Sequence, residues 1–100
     1  MNKIDHIGIA VKNIDKSNLI FTKIFGFGPY KEETVDSEGV KTSFFKVGES
    51  KIELVMATNL NSPISKFLSK NAEGMHHIAI NVSDIHKEMK RIQKLGIRLL

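Results

Sequence analysis

A chain of 100 residues, 41% apolar and 26% charged, has the length and balance of one small globular domain rather than of a disordered segment. It has no cysteine, which excludes disulfides and suits a reducing, cytoplasmic setting; its apolar runs are only a few residues long, so nothing reads as a membrane span or a secretory leader. The net charge of +4 comes from fifteen Lys and Arg against eleven Asp and Glu, scattered without an arginine stripe or an aromatic stacking platform, which argues against a nucleic-acid partner and suits a small anionic ligand.

Strict alternation over 6–11 predicts a strand with Ile7, Ile9 and Val11 on one face and His6, Gly8 and Ala10 on the other. An apolar face needs a helix packed on it, whereas His beside Gly and Ala reads as a cavity wall. A helix is expected over about 15–25, capped by Asp15, ended by Gly26, and packed through Leu19, Ile20, Ile24 and Phe21. Strands follow near 30–35, 41–47 and 51–56, the last two joined as a hairpin through Gly48-Glu49-Ser50. Ser37-Glu38-Gly39 reads as a turn carrying a mobile acid. Phe27, Phe44 and Phe45 are expected in the core. Ser62-Pro63 starts a short helix through Leu68, serine capping and proline taking the first turn. A strand over 77–82 places Ile78, Ile80 and Val82 opposite His77, Ala79 and Asn81. The last helix, 85–95, is capped by Asp84, stopped by Gly96 and striped with Ile85, Met89, Ile92 and Leu95. His86 falls on its surface.

The stretch from His6 to Lys16 returns from His77 to Lys87 at an offset of 71, with six of eleven positions identical. Two copies of one supersecondary unit account for this. The first copy is β-α-β-β-β, about 3–70. The second, about 75–100, has its strand and helix, so the chain is expected to be one domain whose second module is incomplete; by analogy with the first, its remaining strands need roughly 30–45 further residues. A half-sheet with an open edge is a liability for a lone chain, which favours a longer parent protein.

His6 and His77 occupy equivalent positions in the repeat and face the same kind of wall. On the hairpin strand, Ile52, Leu54 and Met56 take the packing face and turn Glu53 inward, where a carboxylate is costly unless paired, protonated or bound to a metal. Two imidazoles and a carboxylate suit a divalent transition ion and can leave positions open for water or substrate. The same shift of 71 carries Glu53 to a position near 124, past Leu100, where a second acid would complete the set. Regular alternation turns His76 away from His77, into packing or a supporting contact.

These residues resemble the vicinal-oxygen-chelate (glyoxalase/bleomycin resistance) superfamily and, within it, the methylmalonyl-CoA epimerase family. The resemblance is carried by Asp5-His6-Ile7-Gly8-Ile9-Ala10-Val11, Glu38-Gly39-Val40-Lys41 and Lys51-Ile52-Glu53-Leu54. It continues through Asn61-Ser62-Pro63-Ile64-Ser65-Lys66-Phe67-Leu68 and Gly74-Met75-His76-His77-Ile78-Ala79. It implies an α+β fold of paired β-α-β-β-β modules, a homodimer, and a divalent ion (cobalt, zinc, manganese, nickel or magnesium) held by His6, Glu53 and His77. It implies an acyl-CoA substrate and interconversion of (R)- and (S)-methylmalonyl-CoA by removal and return of the α-proton. A glyoxalase-I-like lyase and a metal-free binding protein of the same fold are the alternative functions. The family's C-terminal Glu ligand has no counterpart in this chain. One form of the family places another catalytic Glu shortly after the Glu38-Gly39-Val40 stretch, where this chain has Thr42. The proton-transfer residues are therefore unassigned.

Overall fold

The computed structural model describes residues 2–100. Its elements run β1 (Lys3–Ala10), α1 (Ile14–Phe25), β2 (Lys31–Val35), a 3-10 turn (Asp36–Glu38), β3 (Val40–Val47), β4 (Ser50–Ala57), α2 (Pro63–Lys70), β5 (Gly74–Asn81) and α3 (Ile85–Lys94). The five strands form one sheet in the order β2-β3-β4-β1-β5, in which β1 and β4 are parallel and every other neighbouring pair is antiparallel. This is an α+β fold of the β-α-β-β-β kind, with the second unit's strand and helix following the first unit.

The sheet's two faces have different work. On one, Ile9, Ile52, Leu54, Met56 and Phe45 meet Ile14, Phe21 and Phe25 of α1, and Phe45 and Leu54 are fully buried. On the other, Ala10, Val40 and Val55 pack against Ile64, Phe67 and Leu68 of α2 at one end of the cavity. The core is thus two small clusters divided by the sheet, each closed by one helix.

The face of α1 that meets the sheet is not the expected one. Leu19, Ile20 and Ile24 are exposed, and the core stripe is Ile14, Phe21 and Phe25. Between them Asn18 is turned inward, where its Oδ1 accepts from the buried Ser43 hydroxyl at 2.6 Å and its Nδ2 donates to Glu32 at 3.0 Å. A polar residue on the packed face is tolerated because that pairing satisfies it; hydropathy alone picks the other stripe. The cap also shifts. Asn13 accepts from the Lys16 backbone N–H at 3.1 Å, and Asp15 lies within the first turn, where its charge favours the helix dipole. Gly26 closes α1 in the left-handed region (φ 81°) as expected, and Asp84 caps α3. Phe27 is exposed and stacks on Phe25 rather than entering the core.

The second unit is packed on one side only. Ile78 and Ile80 of β5, Ile85 and Met89 of α3, and Leu95 at its C-terminal cap are exposed, because α3 does not lie on the sheet face that its stripe would cover. β5 occupies the sheet edge beside β1.

The repeat becomes a symmetry in the β1–β5 pair. Ile7 is opposite Ile78, and each is the other's counterpart at the offset of 71; His6 is opposite Ala79 and Gly8 is opposite His77. An antiparallel pair built from two copies of one strand has a local two-fold axis at that crossing. The axis brings the two copies of the repeat's leading histidine to either side of one point.

Candidate metal centre

β1, β4 and β5 each contribute one side chain to a common hollow. His6 Nε2 and His77 Nε2 are 3.1 Å apart, Glu53 Oε1 is 3.2 Å from His77 Nε2, and it is 3.6 Å from His6 Nε2. The two imidazole rings meet edge to face. Zinc-type bonds of about 2.0–2.2 Å, opening at roughly 90–110° from one ion, put neighbouring donor atoms about 2.8–3.6 Å apart. The spacing in this chain matches that, and no direct pairing explains it as well: two imidazole nitrogens and a carboxylate oxygen gathered this closely need a cation or a shared proton among them. All three side chains are part-buried and open onto a cavity of about 640 Å³. His6, Glu53 and His77 are thus positioned to chelate a divalent ion.

Each donor has a local reason for its direction. Glu53 follows simple alternation: Ile52 and Leu54 go to α1, so the carboxylate goes to the cavity. His6 is oriented by Asp5, whose Oδ2 lies 2.8 Å from His6 Nδ1. A proton on Nδ1 donated to that carboxylate leaves Nε2 bare and facing the cluster. The same hydrogen bond, helped by Lys51, holds the Asp5 carboxyl below its ordinary value and keeps it charged. His77 depends on its neighbour across the ladder. Any side chain at Gly8 would run into the His77 ring, so glycine is needed here for close approach and not for backbone freedom.

His76 departs from the alternation expected of it. Gly8 pairs with His77 but Ile9 pairs with Met75, so His76 is the extra residue of a bulge. It therefore lines the same cavity as His77, with its Nδ1 2.9 Å from His77 Nδ1. Among the described residues, Asp36 and Glu38 are the carboxylates that line the cavity outside the cluster, on the turn before β3. The Glu38 turn was legible in Ser37-Glu38-Gly39; its place at the cavity came from the tertiary fold. Thr42 lines the wall as well, buried, its hydroxyl donating to the Glu33 carbonyl at 3.5 Å. A hydroxyl with no base beside it is no substitute for a carboxylate in proton transfer. His86 is exposed on α3.

Burial pushes the His77 imidazole below its ordinary value of 6.5; the Glu53 carboxylate opposes this, and His6 adds to it. The unfolded chain then takes up a proton at higher pH than the folded one, so folded stability falls as pH drops below about 6.5 and is insensitive to this group above it. In metal-free protein, wild type should lose more stability than His77→Gln between pH 7 and pH 5 in denaturant titrations. Parallel curves would show that His77 is not held in this environment.

Known proteins share this frame. Residues 5–100 match the family model described as the glyoxalase/bleomycin resistance protein/dioxygenase superfamily. The solved hypothetical protein BH1468 of Bacillus halodurans is 41% identical, with a TM-score of 0.90 over 95% of this chain and 69% of its own. Methylmalonyl-CoA epimerase of Streptomyces coelicolor, solved in complex with 2-nitronate-propionyl-CoA, is 32% identical with a TM-score of 0.89, covering 100% of this chain and 74% of its own. The human mitochondrial methylmalonyl-CoA epimerase is 34% identical over the full chain, which spans 57% of that protein's length. With a family match from Asp5 to Leu100 and a sheet that superposes on solved relatives, this chain belongs to the glyoxalase/bleomycin resistance protein/dioxygenase superfamily and is closely related in fold and sequence to its methylmalonyl-CoA epimerases.

Proposed function

We propose that this chain carries the metal-binding half of a methylmalonyl-CoA epimerase, with His6, Glu53 and His77 as protein ligands of one divalent ion. The observation that carries the reading is the meeting of three donor atoms at 3.1–3.6 Å, from three separate strands, at a cavity. A bound divalent ion there supplies Lewis-acid stabilisation of the negative charge that gathers on a thioester oxygen as the α-proton leaves. His6, Glu53 and His77 would hold that ion and aim it at a substrate seated in the cavity. Inversion requires a proton taken from one face and returned on the other, so two acid/base groups must flank that carbon. The near two-fold relation of β1 and β5 supports two opposed walls.

The same reading makes residues 1–100 one domain, with a first module over about 3–70 and the beginning of a second over about 75–100. It makes the working protein a cytoplasmic homodimer with an acyl-CoA substrate and no nucleic-acid or membrane partner, and it makes cobalt a suitable ion. No helix among the described residues is long and apolar enough to cross a membrane. The donor triad speaks against a metal-free binding protein.

The test is solvent exchange. The whole protein, loaded with Co²⁺ and given (R)-methylmalonyl-CoA in D₂O, should place deuterium at the α-carbon and yield both epimers, and a chelator should stop both. Metal-loaded protein that leaves the α-proton untouched would overturn the assignment.

A further inference from the structure

The β1–β5 pair contains two bulges, and they correspond. Between Ile4 and His6 the register skips Asp5; between Gly8 and Ile9 it skips His76 on the partner strand. Asp5 and His76 are themselves separated by the repeat offset of 71. In each copy, then, the residue just before the leading histidine is the extra residue of a bulge. In each copy its side chain also reaches that histidine's Nδ1: Asp5 Oδ2 to His6 at 2.8 Å, and His76 Nδ1 to His77 at 2.9 Å. A bulge gives up a ladder pairing, and it re-aims a side chain that alternation would send to the other face. Two such sacrifices at equivalent positions, made by unlike residues, share one geometric result. Each histidine is gripped at Nδ1 and shows Nε2 to the cluster.

The geometry points to His76 as a positioning residue, the second copy's counterpart of Asp5, which fixes the ring of His77 by sharing one proton between the two Nδ1 atoms. The inference rests on the metal site proposed above. When His77 Nε2 binds a cation its proton must sit on Nδ1, and His76 Nδ1 is the acceptor in place. The His76 ring in turn packs at right angles to the Phe67 ring of α2, with centroids 4.9 Å apart and planes at 88°. Because Pro63 and Ile64 of α2 and its cap Ser62 line the cavity, His76 also ties the cavity wall to a candidate ligand. The two grips differ in strength. A carboxylate accepts a charge-assisted hydrogen bond and a neutral imidazole does not, so His77 is the less firmly held of the pair.

Four proteins decide it: wild type, His76→Leu, His76→Asn and His77→Ala, each titrated with Co²⁺ and followed by visible absorption, with thermal unfolding as the check on folding. Asparagine can present its amide oxygen near the place of the lost Nδ1; leucine fills space and accepts nothing. Wild type should bind tightly, His76→Leu about 10–100-fold more weakly, the range for losing a partner of a metal-ligating histidine. His76→Asn should recover most of the loss. Leucine binding like wild type, or both variants equally weak at equal stability, would overturn the role. Failure of the metal site itself shows differently: wild type and His77→Ala would then bind cobalt alike. In that event the metal-free protein still decides the role of His76. Nitrogen-15 NMR of the histidines should show one imidazole N–H held between the two Nδ1 atoms in wild type and lost in His76→Leu; its absence in wild type overturns the contact.

Discussion

Replacing His77 with alanine is expected to weaken divalent-metal binding on the order of 100-fold or more, about 2.7 kcal/mol or above, and to abolish α-proton exchange in the whole protein. The expectation follows from the donor count. His6, Glu53 and His77 supply this chain's three gathered ligand atoms, and His77 Nε2 is the closest neighbour of both others, at 3.1 and 3.2 Å. Removing it leaves one imidazole and one carboxylate 3.6 Å apart, a set with little preference for a transition ion over water and protons. The fold should survive, since the ring is part-buried at the cavity and belongs to neither hydrophobic cluster. Isothermal titration with Zn²⁺ or Co²⁺, paired with a deuterium-exchange assay on methylmalonyl-CoA, measures both effects. Unchanged exchange in the variant would rule out the proposed mechanism.

Gly8→Ala should imitate that loss without touching a ligand. The added methyl meets the His77 ring, while the glycine's backbone lies outside the left-handed region, so alanine is acceptable to the strand itself. The ring is the mobile partner and must swing away, taking Nε2 out of the cluster. Metal affinity is expected to fall by at least about tenfold, while the stability of the metal-free protein holds or rises by about 0.4–1 kcal/mol through the stiffer unfolded chain. This combination separates close approach from general damage, which would lower both. The other copy has no such demand, for Ala79, the counterpart of Gly8, already carries a methyl opposite His6. The two-fold relation is therefore a relation of backbone and ligand, relaxed at the residues between.

Several features of the site could be read from residue order because they rest on local periodicity. Alternation in β4 sends Glu53 to the cavity once Ile52 and Leu54 are given to the core, and that division depends only on the pleat. The repeat at 71 residues marks His6 and His77 as counterparts whatever the fold does with them. The caps of α2 and α3, Ser62 and Asp84, are likewise local hydrogen bonds made within a few residues of chain.

Where alternation breaks, the sequence misleads. His76 and His77 are adjacent, so a regular strand must part them; a bulge paired against β1 puts both at one cavity, and nothing within 74–81 announces it. The packed side of α1 is a similar case. Leu19, Ile20 and Ile24 make the more hydrophobic stripe, yet Ser43 and Phe45 on β3 select Asn18, Phe21 and Phe25 by offering a hydroxyl and a ring.

By itself the sequence determined the α+β class, the order of strands and helices, the two-copy plan and the identity of the three converging donors, all properties of period and residue type. Only the tertiary structure decided that β1 and β5 cross at Ile7 and Ile78, that paired bulges aim Asp5 and His76 at the histidines, and that a missing side chain at Gly8 admits the His77 ring. Those outcomes depend on which strand lies beside which. Register is a relation between segments about seventy residues apart, so no periodicity within either segment fixes it.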